Sequence, residues 1–169
     1  MKQHFLVPKW NPDLTIDKIP HEHLINLGTK ALLLDVDKTL LPGKDTLLSS
    51  SVKAWVKEAK KDLEVRLLSN NPSKKRIKEV ADQLNIEYTY KAGKPSRKKI
   101  RKIQENLDLT PQSIAIIGDR LFTDILVGNR LGLYTVLVQP LGINGKASKN
   151  KLVPKMEKFI ASILGANNK

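Results

Sequence analysis

From residue 31 onward, apolar and polar positions alternate between two periods. Ala31 to Val36 reads as a buried strand, after which Val52, Trp55, Val56 and Ala59 recur at helical spacing. Val65 to Leu68 is a second apolar run. Asn71-Pro72 then offers a capping side chain and a proline at the first helical position, ahead of a face made by Ile77, Val80, Ala81 and Leu84. Ile86 to Tyr90 predicts a short, weaker strand, and Ile100, Ile103 and Leu107 a further helix. Ile114 to Ile117 predicts a fourth strand, Leu121 to Leu131 a helix, and Tyr134 to Val138 a fifth strand. Val153, Met156, Phe159, Ile160 and Ile163 mark a closing amphipathic helix.

Strand followed by helix, repeated along the chain, predicts an α/β fold: a doubly wound, Rossmann-like sheet of five parallel strands with helices on both faces. Both faces must be covered, because the strands are apolar throughout rather than alternating. At 169 residues the chain suits one domain. Residues 1–30 break the alternation and are expected to form an arm or short helix lying on the domain. Residues 31–138 form the core, and 139–169 a basic loop and final helix.

Polar residues gather where such folds keep their ligands, at the carboxyl ends of the strands. The first strand ends in Asp35-Val36-Asp37-Lys38-Thr39, the second in Ser69-Asn70-Asn71. Lys94 follows the third strand, and Gly118-Asp119 with Asp124 follows the fourth. Carboxylates brought this close repel one another unless a cation lies between them. All-oxygen ligation suits Mg²⁺. A carboxylate can attack phosphorus, a second one two residues on can move the proton, and a lysine can offset the phosphoryl charge. Ser69, Asn70 and nearby backbone N–H groups are placed to hold phosphoryl oxygens.

Charge and composition narrow the partners. Lys and Arg number 30 against 17 Asp and Glu, a net charge of +13, which favours nucleic acid, an anionic membrane surface or a phosphorylated ligand. The chain has no cysteine, so disulfides, thiolate metal sites and thiol nucleophiles are excluded. No secretory leader and no membrane-spanning run is evident, so a soluble chain in a reducing compartment is expected. His21-Glu22-His23 stands apart from the strand ends and reads as surface.

The motif residues resemble the haloacid dehalogenase (HAD) superfamily over residues 31 to 138. Asp35-Val36-Asp37-Lys38-Thr39 stands as the first motif, Ser69 as the second, Lys94 as the third, and Gly118-Asp119 with Asp124 as the fourth. The resemblance implies a Mg²⁺-dependent phosphatase. Asp35 would be nucleophile and metal ligand. Asp37 would be general acid and base, with its carbonyl on the metal. Thr39 would support the loop beside the substrate, Ser69 would bind a phosphoryl oxygen, and Lys94 would stabilise the intermediate. Asp119 and Asp124 would complete the metal site. There is no room for a cap domain after Thr39 or between Ser69 and Lys94, so the site is expected to be open.

The whole chain is also similar to the YqeG family, through Leu-Ser-Asn-Asn at 68–71, Lys-Ala-Gly-Lys-Pro at 91–95, Ile-Gly-Asp-Arg-Leu-Phe-Thr-Asp-Ile at 117–125 and Gly-Asn-Arg-Leu-Gly at 128–132. That family is similar to phosphatidylglycerophosphate phosphatases. The likeness implies dephosphorylation of phosphatidylglycerophosphate to phosphatidylglycerol, a cytoplasmic enzyme peripheral on a membrane face, and an anionic phospholipid as partner, with no obligate protein partner. The basic runs Lys74, Lys75, Arg76 and Lys78, and Arg97, Lys98, Lys99, Arg101 and Lys102, are expected to face the site, joined by Lys146, Lys149 and Lys151. Phe5, Leu6, Val7 and Trp10 are read either as an apolar anchor or as an arm packed on the core. Two alternatives remain: a soluble phosphatase of a nucleotide or nucleic-acid phosphate, and a non-catalytic basic binding protein.

Overall fold

The computed structural model describes residues 5–142. The closing helix expected over Val153–Ile163 and the lysines at 146, 149 and 151 lie outside them. Five parallel strands, β1 (Ala31–Leu34), β2 (Glu64–Leu68), β3 (Glu87–Thr89), β4 (Ile114–Gly118) and β5 (Tyr134–Leu137), form one sheet in the order β3-β2-β1-β4-β5. This is the predicted doubly wound architecture. β1 is central, with Leu34 in register with both Leu67 and Ile117.

Side chains of β1 alternate between two cores, as the period of a strand requires. Leu32 and Leu34 join the layer under α2 (Ser50–Ala59) and α3 (Lys74–Leu84), whereas Ala31 and Leu33 join the layer under α4 (Lys98–Leu107) and α5 (Leu126–Leu131). Each fully buried leucine of this strand contributes about 1.5–3 kcal/mol by leaving water. A Leu33→Ala change would cost about 2–5 kcal/mol through the cavity it leaves.

Local signals set the helix ends. The Ser49 hydroxyl accepts from Val52 N at the start of α2, and that of Ser73 accepts from Arg76 N at the start of α3. α3 therefore begins later than Asn71-Pro72 suggests. The Asn71 side chain is occupied elsewhere: its Oδ1 accepts from Ser73 N and its Nδ2 turns to Asp37. α3 and α4 end on left-handed residues, Asn85 and Asp108, and α5 on Gly132 at φ 77°.

Residues 5–30 are an arm laid on the domain, including a short helix α1 (His21–Asn26). Trp10 N donates to Thr135 O and Leu137 N to Trp10 O, both at 3.0 Å. The arm thus pairs with the exposed edge of β5, which would otherwise offer unpaired backbone groups. The Asn129 side chain holds the carbonyls of Phe5 and Val7 at 2.8 Å. Trp55 Nε1 donates to Ile19 O at 2.7 Å. Trp10 packs against the core, while the side chains of Phe5 and Val7 stay exposed. His23 lies tilted against Trp10 with ring centroids 4.3 Å apart, and His21 lies edge-on to Trp55.

Candidate active site

The strand order sets where the site lies. β1 delivers Asp35 between the ends of β2 and β4, so residues from both flanks reach it. Asp35 still belongs to the ladder, with its N–H donating to Ile117 O at 2.9 Å. Its carboxylate is buried: Oδ2 accepts from the Thr39 hydroxyl at 3.2 Å and Oδ1 from Lys94 Nζ at 2.7 Å.

Lys94 is the hub. Its ammonium donates to Asp35 Oδ1, to Asp124 Oδ1 at 2.5 Å and to Leu68 O at 2.8 Å, which uses all three of its donors. Asn70 fixes the backbone beneath it, Nδ2 donating to Lys94 O at 2.9 Å and Oδ1 accepting from Lys94 N at 2.8 Å. Ser69 is fully buried, and its hydroxyl accepts from Asn71 N at 3.1 Å.

Asp119 and Asp124 enter from the end of β4. The continuous helix expected over Leu121–Leu131 is observed as a π turn, Leu121–Ile125, followed by α5. In the wider turn both Asp124 N and Ile125 N donate to Arg120 O, and the Asp124 carboxylate points back to accept from Arg120 N and from the Thr123 hydroxyl. Gly118 makes this possible, because a Cβ there would overlap the Asp124 carboxyl group.

Oxygens of Asp35, Asp119 and Asp124 all lie within 4.8 Å of one another. Burial pushes the Asp35 carboxyl up to about 6, with Lys94 pulling it down and Asp124 pushing it further up. Burial, then the charges of Asp35 and Asp124, push Asp119 up to about 7. Burial also opposes the Lys94 charge, but Asp124 and Asp35 more than offset it and hold the lysine above its ordinary value. Asp119 Oδ1 is buried without a hydrogen-bond partner, and Arg120 Nε stays 4.0 Å away. Three buried carboxylates, one with an unused oxygen, fit a hard divalent cation.

Asp37 sits at the margin of this cluster, half-exposed. Its Oδ2 accepts from Asn71 Nδ2 at 3.2 Å, and its Oδ1 lies 2.7 Å from Arg76 Nη1. That Nη1 makes no aligned hydrogen bond, so the contact is an ion pair by distance rather than a directed bond. The same guanidinium donates to the carbonyls of Gly43, Lys44 and Asp45. Arg76 is thus turned inward, unlike the exposed Lys74 and Lys75 beside it. Lys78 pairs with Asp82 along α3, and Lys99 caps the carbonyls of Tyr90 and Lys91. Neither of these two faces the site, whereas Arg76 of the first run does, as expected. What sequence reasoning missed is that Asn71 and Arg76 both hold Asp37.

Residues 35–49 hold no helix or strand before α2, and residues 69–97 hold α3 and β3, so no second domain covers this edge among the described residues. No helix of the described residues is long and apolar enough to cross a membrane.

A family model described as HAD-hydrolase-like matches residues 91–166. The chain is 33% identical over 145 residues to the probable phosphatase YqeG of Bacillus subtilis, covering 83% of this chain and 81% of that protein. It is 30% identical over 177 residues to the mitochondrial phosphatidylglycerophosphatase GEP4 of Saccharomyces cerevisiae, covering 97% of this chain and 89% of that protein. Its fold is similar to the cobalt-bound deoxy-D-mannose-octulosonate 8-phosphate phosphatase of Haemophilus influenzae, with a TM-score of 0.53 and 16% identity over 66% of this chain and 69% of that one.

Proposed function

The chain belongs to the HAD-like phosphatase family that includes YqeG, and from that premise we propose that it removes the terminal phosphate of phosphatidylglycerophosphate through an aspartyl phosphate on Asp35. The observation that carries the chemistry is Asp35 itself. It is a buried carboxylate fixed by Thr39 and Lys94, at an uncovered sheet edge, with Asp37 two residues away.

Asp35 attacks phosphorus, and the bond from phosphorus to the ester oxygen breaks. Asp37 gives its proton to the departing alkoxide. Water then attacks the same phosphorus, Asp37 takes the proton, and inorganic phosphate leaves with Asp35 restored. Lys94 keeps Asp35 and Asp124 in place throughout. The Ser69 hydroxyl is the group for a phosphoryl oxygen, and Asn70 acts through Lys94 by fixing its backbone. Mg²⁺ would be held by Asp35, Asp119, Asp124 and the Asp37 carbonyl, and when bound it supplies charge that steadies the phosphoryl oxygens.

The lipid substrate is supported by the similarity to GEP4 along 97% of this chain, and by an edge open enough to meet a phosphate presented on a large surface. The test is phosphate release from phosphatidylglycerophosphate in mixed micelles with Mg²⁺, wild type beside Asp35→Asn. Release that stops in the variant and with chelator is expected. Turnover of p-nitrophenyl phosphate without lipid release would remove the substrate assignment and keep the phosphatase.

A further inference from the structure

Exposed charge is sorted along the strand direction of this domain. The loops that follow β1 to β4, with the first turn of α3, expose Lys38, Lys44, Lys74, Lys75, Lys91 and Arg120. The exposed acid in those loops is Asp45. The opposite edge, where helices end and strands begin, exposes Asp62, Glu64, Asp82, Glu87, Glu105 and Asp108, interleaved with lysines such as Lys60 and Lys61.

Helix stability does not account for this sorting. Helix N-termini favour acids and disfavour cations, yet α2, α3 and α4 have no acid in their first turns, and α3 and α4 open on Lys-Lys. The carboxylates that share this edge do not expose negative charge either. Asp35, Asp119 and Asp124 are buried, and Asp37 is paired with Arg76.

Two large apolar side chains are exposed in these loops, Leu47 at 75% before α2 and Phe122 beside the carboxylates. Phe122 lies in the π turn between Asp119 and Asp124, and it is 60% exposed. Tyr90, the other aromatic residue in these loops, packs against the core. A lone exposed ring gives a nucleic-acid strand no second stacking platform. Amid cations it matches a bilayer interface, which accepts an aromatic ring while its anionic headgroups meet the lysines.

We infer that the catalytic edge docks flat on an anionic bilayer, with Phe122 entering the interface and the rim cations facing the headgroups. This rests on the lipid-phosphate reading above and adds the surface that brings the site to its substrate.

The test is sedimentation of the protein with vesicles of equal phosphatidylglycerol and phosphatidylcholine, and with phosphatidylcholine alone, using wild type and Phe122→Ser. A single-stranded oligonucleotide serves as the competing polyanion, and p-nitrophenyl phosphate turnover checks the variant's site. Wild type should bind the anionic vesicles and release them as salt rises. Phe122→Ser should bind roughly tenfold more weakly, through lost apolar burial, with soluble turnover unchanged. If that variant does not fold, Phe122→Trp reads the same point, as a blue shift of its emission above the wild-type signal on adding anionic vesicles. Equal binding by wild type and Phe122→Ser, no blue shift, no binding to anionic vesicles, or preference for the oligonucleotide would each overturn the inference. Phe122-dependent binding without phosphatidylglycerophosphate hydrolysis would leave the docking surface standing and remove the substrate reading.

Discussion

Arg76 binds Asp37 and the loop that passes over it in a single gesture: one nitrogen lies 2.7 Å from the Asp37 carboxylate while the others take the carbonyls of Gly43, Lys44 and Asp45. The proposed proton carrier and the loop beside it therefore share one support. A lysine at this position would keep the charge and lose the fork.

Arg76→Ala should slow turnover by about 10–100-fold for substrates with poor leaving groups, part of the roughly 100–10,000-fold that a positioned general acid contributes. The loss should be smaller for p-nitrophenyl phosphate, whose departing phenolate needs little protonation. Arg76→Lys should fall between. A leaving-group series on the three proteins reads the effect, and equal losses across it would mean that Arg76 acts on the fold alone.

Stability without metal should decline as pH rises from the ordinary carboxylate value of 3.8 and level off past about 6 and about 7, the raised values of Asp35 and Asp119. A carboxyl whose folded pKa lies above its unfolded one contributes stability that is complete below the unfolded value. That contribution is lost as pH rises through the folded value. A divalent cation competes with those protons. The increase in Tm on adding Mg²⁺ should therefore be small at pH 5 and grow toward pH 8, as a thermal melt series with and without chelator would show.

Asp119→Asn should separate stability from activity. The substitution removes a charge that burial, Asp35 and Asp124 all disfavour. At pH 8 the metal-free variant should be more stable than wild type by on the order of 1–3 kcal/mol. It should also lose most of its turnover and its Mg²⁺ response. A metal-free variant less stable than wild type at pH 8 would count against the strained cluster.

Gly118→Ala should inactivate the site, because the added Cβ would occupy the place of the Asp124 carboxyl group and push it from Lys94. Gly43→Ala is the control, since its Cβ would meet no atom within 4 Å. Turnover of p-nitrophenyl phosphate by the two variants gives the comparison directly.

Much of this arrangement was readable in the chain because the physics is local. A buried parallel strand has no use for Asp35 at its end, so the functional residues announce themselves against β1, β2 and β4. The contacts of Asn71 and Arg76 with Asp37 were hidden for the opposite reason. Asn before Pro is an ordinary helix start, and a basic run expected to face the site does not say which of its members turns inward. Only the fold shows that Ser73 does the capping and that Arg76 turns inward. The π turn was equally silent, because Leu121–Leu131 carries an apolar pattern that either helix type satisfies. In the fold the carboxylate of Asp124 returns to Arg120 N across this turn.

Lys94 has a consequence for how the protein comes into being. Its ammonium already stands between Asp35 and Asp124 and takes the carbonyl of Leu68. A newly made chain thus carries its own counter-charge and can close its catalytic edge before any ion arrives. The framework of the proposed metal site is then closed by the chain itself, and binding of a cation would be a step separate from folding.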